Sequence, residues 1–234
     1  MDVLRSVDCA TVERLEANKE VVGLLVKPRP GLADSHLEEW EEANMPFKLP
    51  LDMVAFYRLC NGMSLKYSYQ QQDGDLVPDV GHMQLNSLKK IVPVATFGDL
   101  TPAAITQPSS LPRAACPASP AFLDEPMFAG TAFVIDSSTR SGTMAMVYSE
   151  GGPYPPPQPP PILTPTGAGK PPSFWFRDRS CCWYLIARTF TAFLRLQVAH
   201  AGLPLWHYSY TAAGLDPISR QWLSLIIPDR LAMD

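Results

Sequence analysis

No run of eighteen apolar residues occurs in this sequence, so nothing in it reads as a membrane-spanning helix. Charge is scarce too. Charged residues make up 18% of the chain where about 25% is usual, and the formal net charge is −4. Without a basic excess the chain has no overall electrostatic footprint for nucleic acid or for an anionic membrane surface. The amino terminus, MDVLRSVDCATVERLEANKE, sets acids among its apolar residues and has no basic start before an apolar run, a pattern unlike a secretory signal. The cysteines, Cys9, Cys60, Cys116, Cys181 and Cys182, are odd in number, scattered, and lack a C-x-x-C pair. They read as reduced thiols of a cytosolic protein.

What is abundant is proline. Of 25 prolines, 16 fall in TPAAITQPSSLPRAACPASPAFLDEP (101–126) and GGPYPPPQPPPILTPTGAGKPP (151–172). Proline fixes φ and removes a donor, so neither segment suits a sheet interior, and the second favours extended polyproline II. Both read as insertions within a single domain spanning 1–234. Pro155, Pro156, Pro157, Pro159, Pro160 and Pro161 form a possible polyproline ligand for an aromatic groove.

The remaining chain carries regular patterns. Residues 3–19 suit a helix contacting the core through Leu4, Val7 and Leu15, and VVGLLV (21–26) suits a buried strand that Pro28 and Pro30 end. Ser35-x-x-Glu38 has capping-box spacing ahead of HLEEWEEAN, whose Leu37 and Trp40 share one face while the glutamates face water. In LPLDMVAFYRLCNGMSLKYSYQ, Pro50 suits a first helical turn. Met53, Phe56, Tyr57 and Cys60 recur at helical spacing, and Asn61-Gly62 suits a left-handed stop before a strand from Met63. A further strand begins LVPDVGHMQL from 76, and TAFVIDSS (131–138) with GTMAMVYS (142–149) predicts a hairpin. SFWFRD reads as the last strand, and Cys181 to about His200 as one long helix stopped by Ala201-Gly202-Leu203-Pro204. Asp216-Pro217 pairs an N-cap with a first-turn proline for a final helix that Pro228 closes. The fold class expected is α+β, a mostly antiparallel sheet covered by helices.

Motifs for chemistry do not assemble. GAGK (167–170) lacks the glycine and the Ser or Thr of a phosphate loop, since Thr164 and Pro171 occupy those positions. His36, His82, His200 and His207 do not fall at zinc-ligand spacing. Asp73, Asp75 and Asp79 lack the twelve-residue calcium-loop pattern and read as a solvated turn. No G-x-S-x-G elbow is present. A thiol of the Cys181-Cys182 pair at a helix start beside Arg177 and Arg179 would have a lowered pKa, yet helix-start filler is the plainer reading.

The order of elements around Leu49-Pro50-Leu51, Phe56-Tyr57 and Asn61-Gly62 resembles the SUKH superfamily, the Smi/Knr-like domain. A second likeness is carried by Met45-Pro46, Asn86-Ser87, Ile135-Asp136-Ser137, Phe176 with Asp178-Arg179, Thr189-Phe190-Thr191-Ala192, Arg195-Leu196, His200, Gly202-Leu203-Pro204, Trp206 and Gln221-Trp222. These resemble the tubulin polyglutamylase complex subunit 2 family across about residues 20–225.

That resemblance implies a noncatalytic scaffold or adaptor subunit, not an enzyme. It implies no cofactor or metal, and protein partners in a tubulin-modifying assembly that reaches microtubules only indirectly. Cytoplasm and cytoskeleton are the expected locations, with ciliary or flagellar axoneme, centrosome or basal body as the finer ones. The alternative is a structural protein–protein interaction component of the axoneme with no modifying activity. For partner contact, interface preference for Trp, Tyr and Arg selects Trp175, Arg177, Arg179, Arg188, Arg195, Trp206 and Tyr208, taken as exposed.

Overall fold

The computed structural model describes residues 9–94, 130–136, 142–149, 171–180, 182–211 and 213–228. Leu4 and Val7, most of the two proline-rich segments including Pro155 to Pro161, the 137–141 loop and Cys181 lie outside the described residues.

The chain order is α1 (Cys9–Ala17), β1 (Val21–Pro30), α2 (Asp34–Ala43), α3 (Leu51–Leu59), β2 (Cys60–Gln70), β3 (Leu76–Leu85) and a 3₁₀ turn (Leu88–Lys90). After these come β4 (Gly130–Asp136), β5 (Gly142–Ser149), β6 (Ser173–Asp178), β7 (Trp183–Ala187), α4 (Phe190–Ala199), a 3₁₀ segment (Trp206–Tyr210) and α5 (Pro217–Ile226). The architecture is α+β, with two antiparallel sheets ordered β1-β2-β3 and β4-β5-β6-β7.

The segment after β3 ties the sheets together. Asn86 N–H donates to the Ile135 carbonyl at 3.0 Å and Val134 N–H to the Val92 carbonyl at 3.0 Å. One buried cluster takes Met63, Leu65, Tyr67 and Tyr69 from β2, Phe133 and Ile135 from β4, and Phe174 and Phe176 from β6. These residues alternate along their strands, as the two-residue period of a pleated strand requires. Helices supply Leu15, Leu37, Trp40, Met53, Phe56, Tyr57, Phe190 and Phe193 to the same cluster. The opposite face of the second sheet carries a smaller buried group, Val94, Val134, Ala145 and Val147, with Trp175 and Trp183 packed against it.

Several sequence expectations are corrected. The long helix from Cys181 does not form: β7 occupies Trp183–Ala187, paired with β6 through Arg177 to Trp183, and the helix starts at Phe190 behind a Thr189 cap. WYLIA is aromatic and β-branched in character, and its pairing with β6 outweighs the apolar periodicity that continues into α4. SFWFRD is therefore the penultimate strand.

β1 is an edge strand, not a buried one, and it runs through Pro28 to Pro30. An edge strand has no neighbour on its outer side to use the missing N–H, so proline is tolerated there. The capping box is also not formed, because α2 begins at Asp34 behind Ala33 with no side-chain cap bond. Asn61-Gly62 lies inside β2, which already begins at Cys60. Gly62 does take φ +76° as a left-handed residue, but as a kink at the start of the strand.

Other expectations hold. Met53, Phe56, Tyr57 and Cys60 are all buried, as are Leu37 and Trp40. Asp216 caps α5 by accepting from the N–H groups of Ile218 at 2.9 Å and Ser219 at 3.0 Å. At the end of α4, Ala201 and Gly202 take φ of +54° and +68°, and the Gly202 carbonyl accepts from His82 N–H at 2.7 Å, docking the turn on β3.

Candidate functional site

The sequence-selected residues separate into three groups. Trp206 is 1% exposed, which corrects its place among exposed contacts. Its ring stacks on His200 at 4.2 Å and on His207 at 4.1 Å, and His207 stacks in turn on Phe176 at 4.9 Å. Four aromatic rings thus fill the space between β6 and the loop after α4, and tryptophan supplies the bulk a 3₁₀ segment needs to anchor itself.

His200 Nδ1 lies 2.8 Å from the Leu196 carbonyl, so that nitrogen carries the proton. Both ring nitrogens of His207 are buried without a hydrogen-bond partner among the described residues. Burial, with a smaller contribution from His200, pulls the pKa of His207 down to about 3. The ring is held neutral because an imidazolium there would be charged without solvent or a counter-ion.

Arg179 and Tyr208 come together. They line an open cleft of about 490 Å³ with Leu205, Ala213, Gly214, Leu215, Asp216 and Pro217. Leu205 adopts a left-handed φ of +59° there. Asp216, the carboxylate at this cleft, already accepts from two amides and the Ser219 hydroxyl. Burial raises its pKa, but these hydrogen bonds outweigh that effect and hold it below the ordinary carboxylate value. A carboxylate engaged in this way is an N-cap, with both oxygens bonded to the first turn of its helix.

Arg179 sits in the turn between β6 and β7, where Asp178 N–H donates to the Cys182 carbonyl at 3.0 Å and the Asp178 side chain accepts from Cys182 N–H at 2.9 Å. Cys182 therefore stands in a hairpin and not at a helix start, so the helix-dipole argument for a reactive thiol does not apply to it. Cys60 is buried, and burial raises its pKa. Among the described residues no three His, Cys, Asp or Glu side chains gather as a metal site.

The third group is dispersed. Trp175 and Arg177 are partly buried on β6, while Arg188 and Arg195 are exposed, ahead of α4 and on it. A second, smaller cleft of about 290 Å³ lies between α2 and the 3₁₀ turn, with His36, Glu39, Trp40, Asn61 and Lys89 among its walls.

One exposed feature was not selected from the sequence. On α3, Leu51 is 81% exposed and Leu59 75% exposed, with exposed Ala55 between them, while Met45 in the preceding connection is 77% exposed. The signal was present in LDMVAFYRL, where Leu51, Ala55 and Leu59 share a face turned away from that of Met53, Phe56 and Tyr57.

No protein-family model and no solved structure matches the chain. Among curated proteins, the tubulin polyglutamylase complex subunit 2 of Homo sapiens is 27% identical over 216 residues, 92% of this chain and 67% of that protein. The proteins of the same name from Rattus norvegicus and Mus musculus are each 29% identical over 209 residues, 84% of this chain and 62% of theirs. The chain thus spans about two thirds of the length of these relatives.

Proposed function

We propose that this chain is a noncatalytic scaffold or adaptor subunit of a tubulin polyglutamylase complex, acting in microtubule or ciliary tubulin modification. The observation that carries the reading is the similarity to proteins of that name over 84–92% of this chain. Two further observations support it. In the open cleft at Arg179 and Tyr208 the carboxylate among the described residues, Asp216, is engaged in capping a helix. Large apolar side chains left in solvent, Leu51 and Leu59 among them, suit a chain that works through protein contact.

The fold is read as a SUKH-type domain over the whole of 1–234, with the proline-rich segments as insertions. No described helix is long and apolar enough to cross a membrane, and the cytoplasm and cytoskeleton, including the cilium, are the locations this role requires. With a net charge of −4 the chain is poorly suited to gripping acidic tubulin tails directly, because like charges repel, so its contact with microtubules runs through other subunits.

The test is quantitative co-purification of the native-level, tagged chain from ciliated cells. Glutamate-ligating activity on tubulin and the subunits that carry it come down in fixed proportion. Recovery of the chain without that activity, together with retention in salt-extracted axonemes at a periodic repeat, overturns the reading in favour of a structural axonemal component.

A further inference from the structure

Helix α3 is amphipathic in the wrong sense for a surface helix. Its buried side holds Met53, Phe56 and Tyr57, and its outward side presents Leu51, Ala55 and Leu59 at i, i+4 and i+8. Residues at this spacing lie one above another on a helix, giving an apolar ridge of about 12 Å. Scattered exposed leucines need no explanation, but a row of them on one face does.

The two flanks of the ridge differ in charge. On one side lies α2, joined at one end by the Arg58–Asp34 ion pair at 2.6 Å and at the other by Leu49 N–H donating to Glu41 at 3.1 Å. These two contacts set α2 antiparallel to α3. They turn the Asp34 and Glu41 side of α2 toward α3. Asp34, Glu38 and Glu42 follow at i, i+4 and i+8 from the ion-paired end, all exposed. On the other side α4 is joined by Asp52, which accepts from Thr191 N–H at 2.8 Å and from its hydroxyl at 3.0 Å. Arg195, one turn beyond Thr191, is exposed on that flank.

We propose that the outward face of α3, framed by the carboxylates of α2, is a docking site for an amphipathic helix of a partner protein. That helix carries apolar residues along one face and Lys or Arg along the edge that meets α2. An apolar stripe desolvates against Leu51, Ala55 and Leu59, while a basic edge answers Glu38 and Glu42, Asp34 being already paired with Arg58, and sets the orientation. A second copy of this chain fits less well, since the same acidic flank would meet itself or the same ridge without a basic row. The proposal rests on the reading of the chain as a complex subunit and says which face a partner takes.

The test uses the full chain and a labelled synthetic helix of about eighteen residues, long enough to be measurably helical, with Leu at three positions four apart and Lys along one edge. A twin carries Glu in place of Lys. The Lys peptide binds with a Kd below about 100 μM, the Glu twin binds at least about tenfold more weakly, and Leu51→Asp with Leu59→Asp weakens the Lys peptide at least about tenfold. Glu38→Lys with Glu42→Lys, exposed changes that leave the ridge intact, reverses the order of the two peptides.

Equal binding of both peptides, no binding of either, or indifference to both pairs of substitutions overturns the proposal. So does sedimentation showing a dimer that the Leu51→Asp, Leu59→Asp pair dissolves. Loss of co-purifying ligase activity overturns the complex-subunit reading alone and leaves the peptide result standing.

Discussion

The phenol of Tyr57, on α3, donates a 2.7 Å hydrogen bond to the main-chain carbonyl of Asn86, just past β3, and both residues are buried. The bond joins the inner face of α3 to the segment that links the two sheets. Burial drives the Tyr57 pKa far above its ordinary value, so the hydroxyl stays a donor at every working pH. Tyr57→Phe removes this buried hydrogen bond and is expected to cost about 1 kcal/mol, read as a lower urea midpoint at unchanged slope.

Gly62 is a sharper test of the same junction. It takes φ +76°, and a Cβ there would lie 2.4 Å from the Asn86 carbonyl oxygen, which is backbone and has little room to move. Gly62→Ala combines left-handed strain with a main-chain clash. It is expected to destabilise by more than about 2 kcal/mol, where Gly74→Ala, also left-handed but in open space, costs about 1 kcal/mol. Paired thermal melts of the two variants decide it.

Trp206 was selected for contact and is used for packing. Trp206→Ala removes the centre of the ring stack and is expected to cost about 3–5 kcal/mol, whereas Trp206→Phe keeps one ring and costs less. Equilibrium denaturation separates this from a role at the surface, which would leave stability unchanged and alter only binding.

His207 predicts a pH dependence. Its folded pKa is lowered from 6.5 to about 3, so between those values the unfolded chain binds a proton that the folded chain refuses. The contribution is therefore complete above the unfolded value of 6.5 and is lost as pH falls from there toward 3. One such group changes stability by about 1.4 kcal/mol per pH unit, or about 2 kcal/mol between pH 6.5 and about pH 5. His207→Phe, which keeps the stack, flattens the measured stability profile over that range.

Element types were legible wherever local signals agreed. Asp216-Pro217 named its helix start because side chain, proline and periodicity all point the same way, and Met53, Phe56 and Tyr57 gave their burial through helical spacing, whereas Cys60, also buried, already belongs to β2. The stretch from Cys181 failed because WYLIARTF fits a strand and a helix equally. Only the neighbouring β6, through Arg177 and Trp183, decides between them. Exposure was the least legible property. Trp206 and Leu51 exchange the places their composition suggests, since what covers a side chain is set by distant segments and not by its own neighbours.

The outer edge of the first sheet carries one further consequence. β1 has two prolines among its last three residues, and its register with β2 slips between Val22 and Leu25 and again between Pro28 and Pro30. A strand lacking those amide donors and broken in register is a poor template for another chain to extend. Cross-β growth from this edge is thereby disfavoured, although the strands behind it are aromatic and apolar.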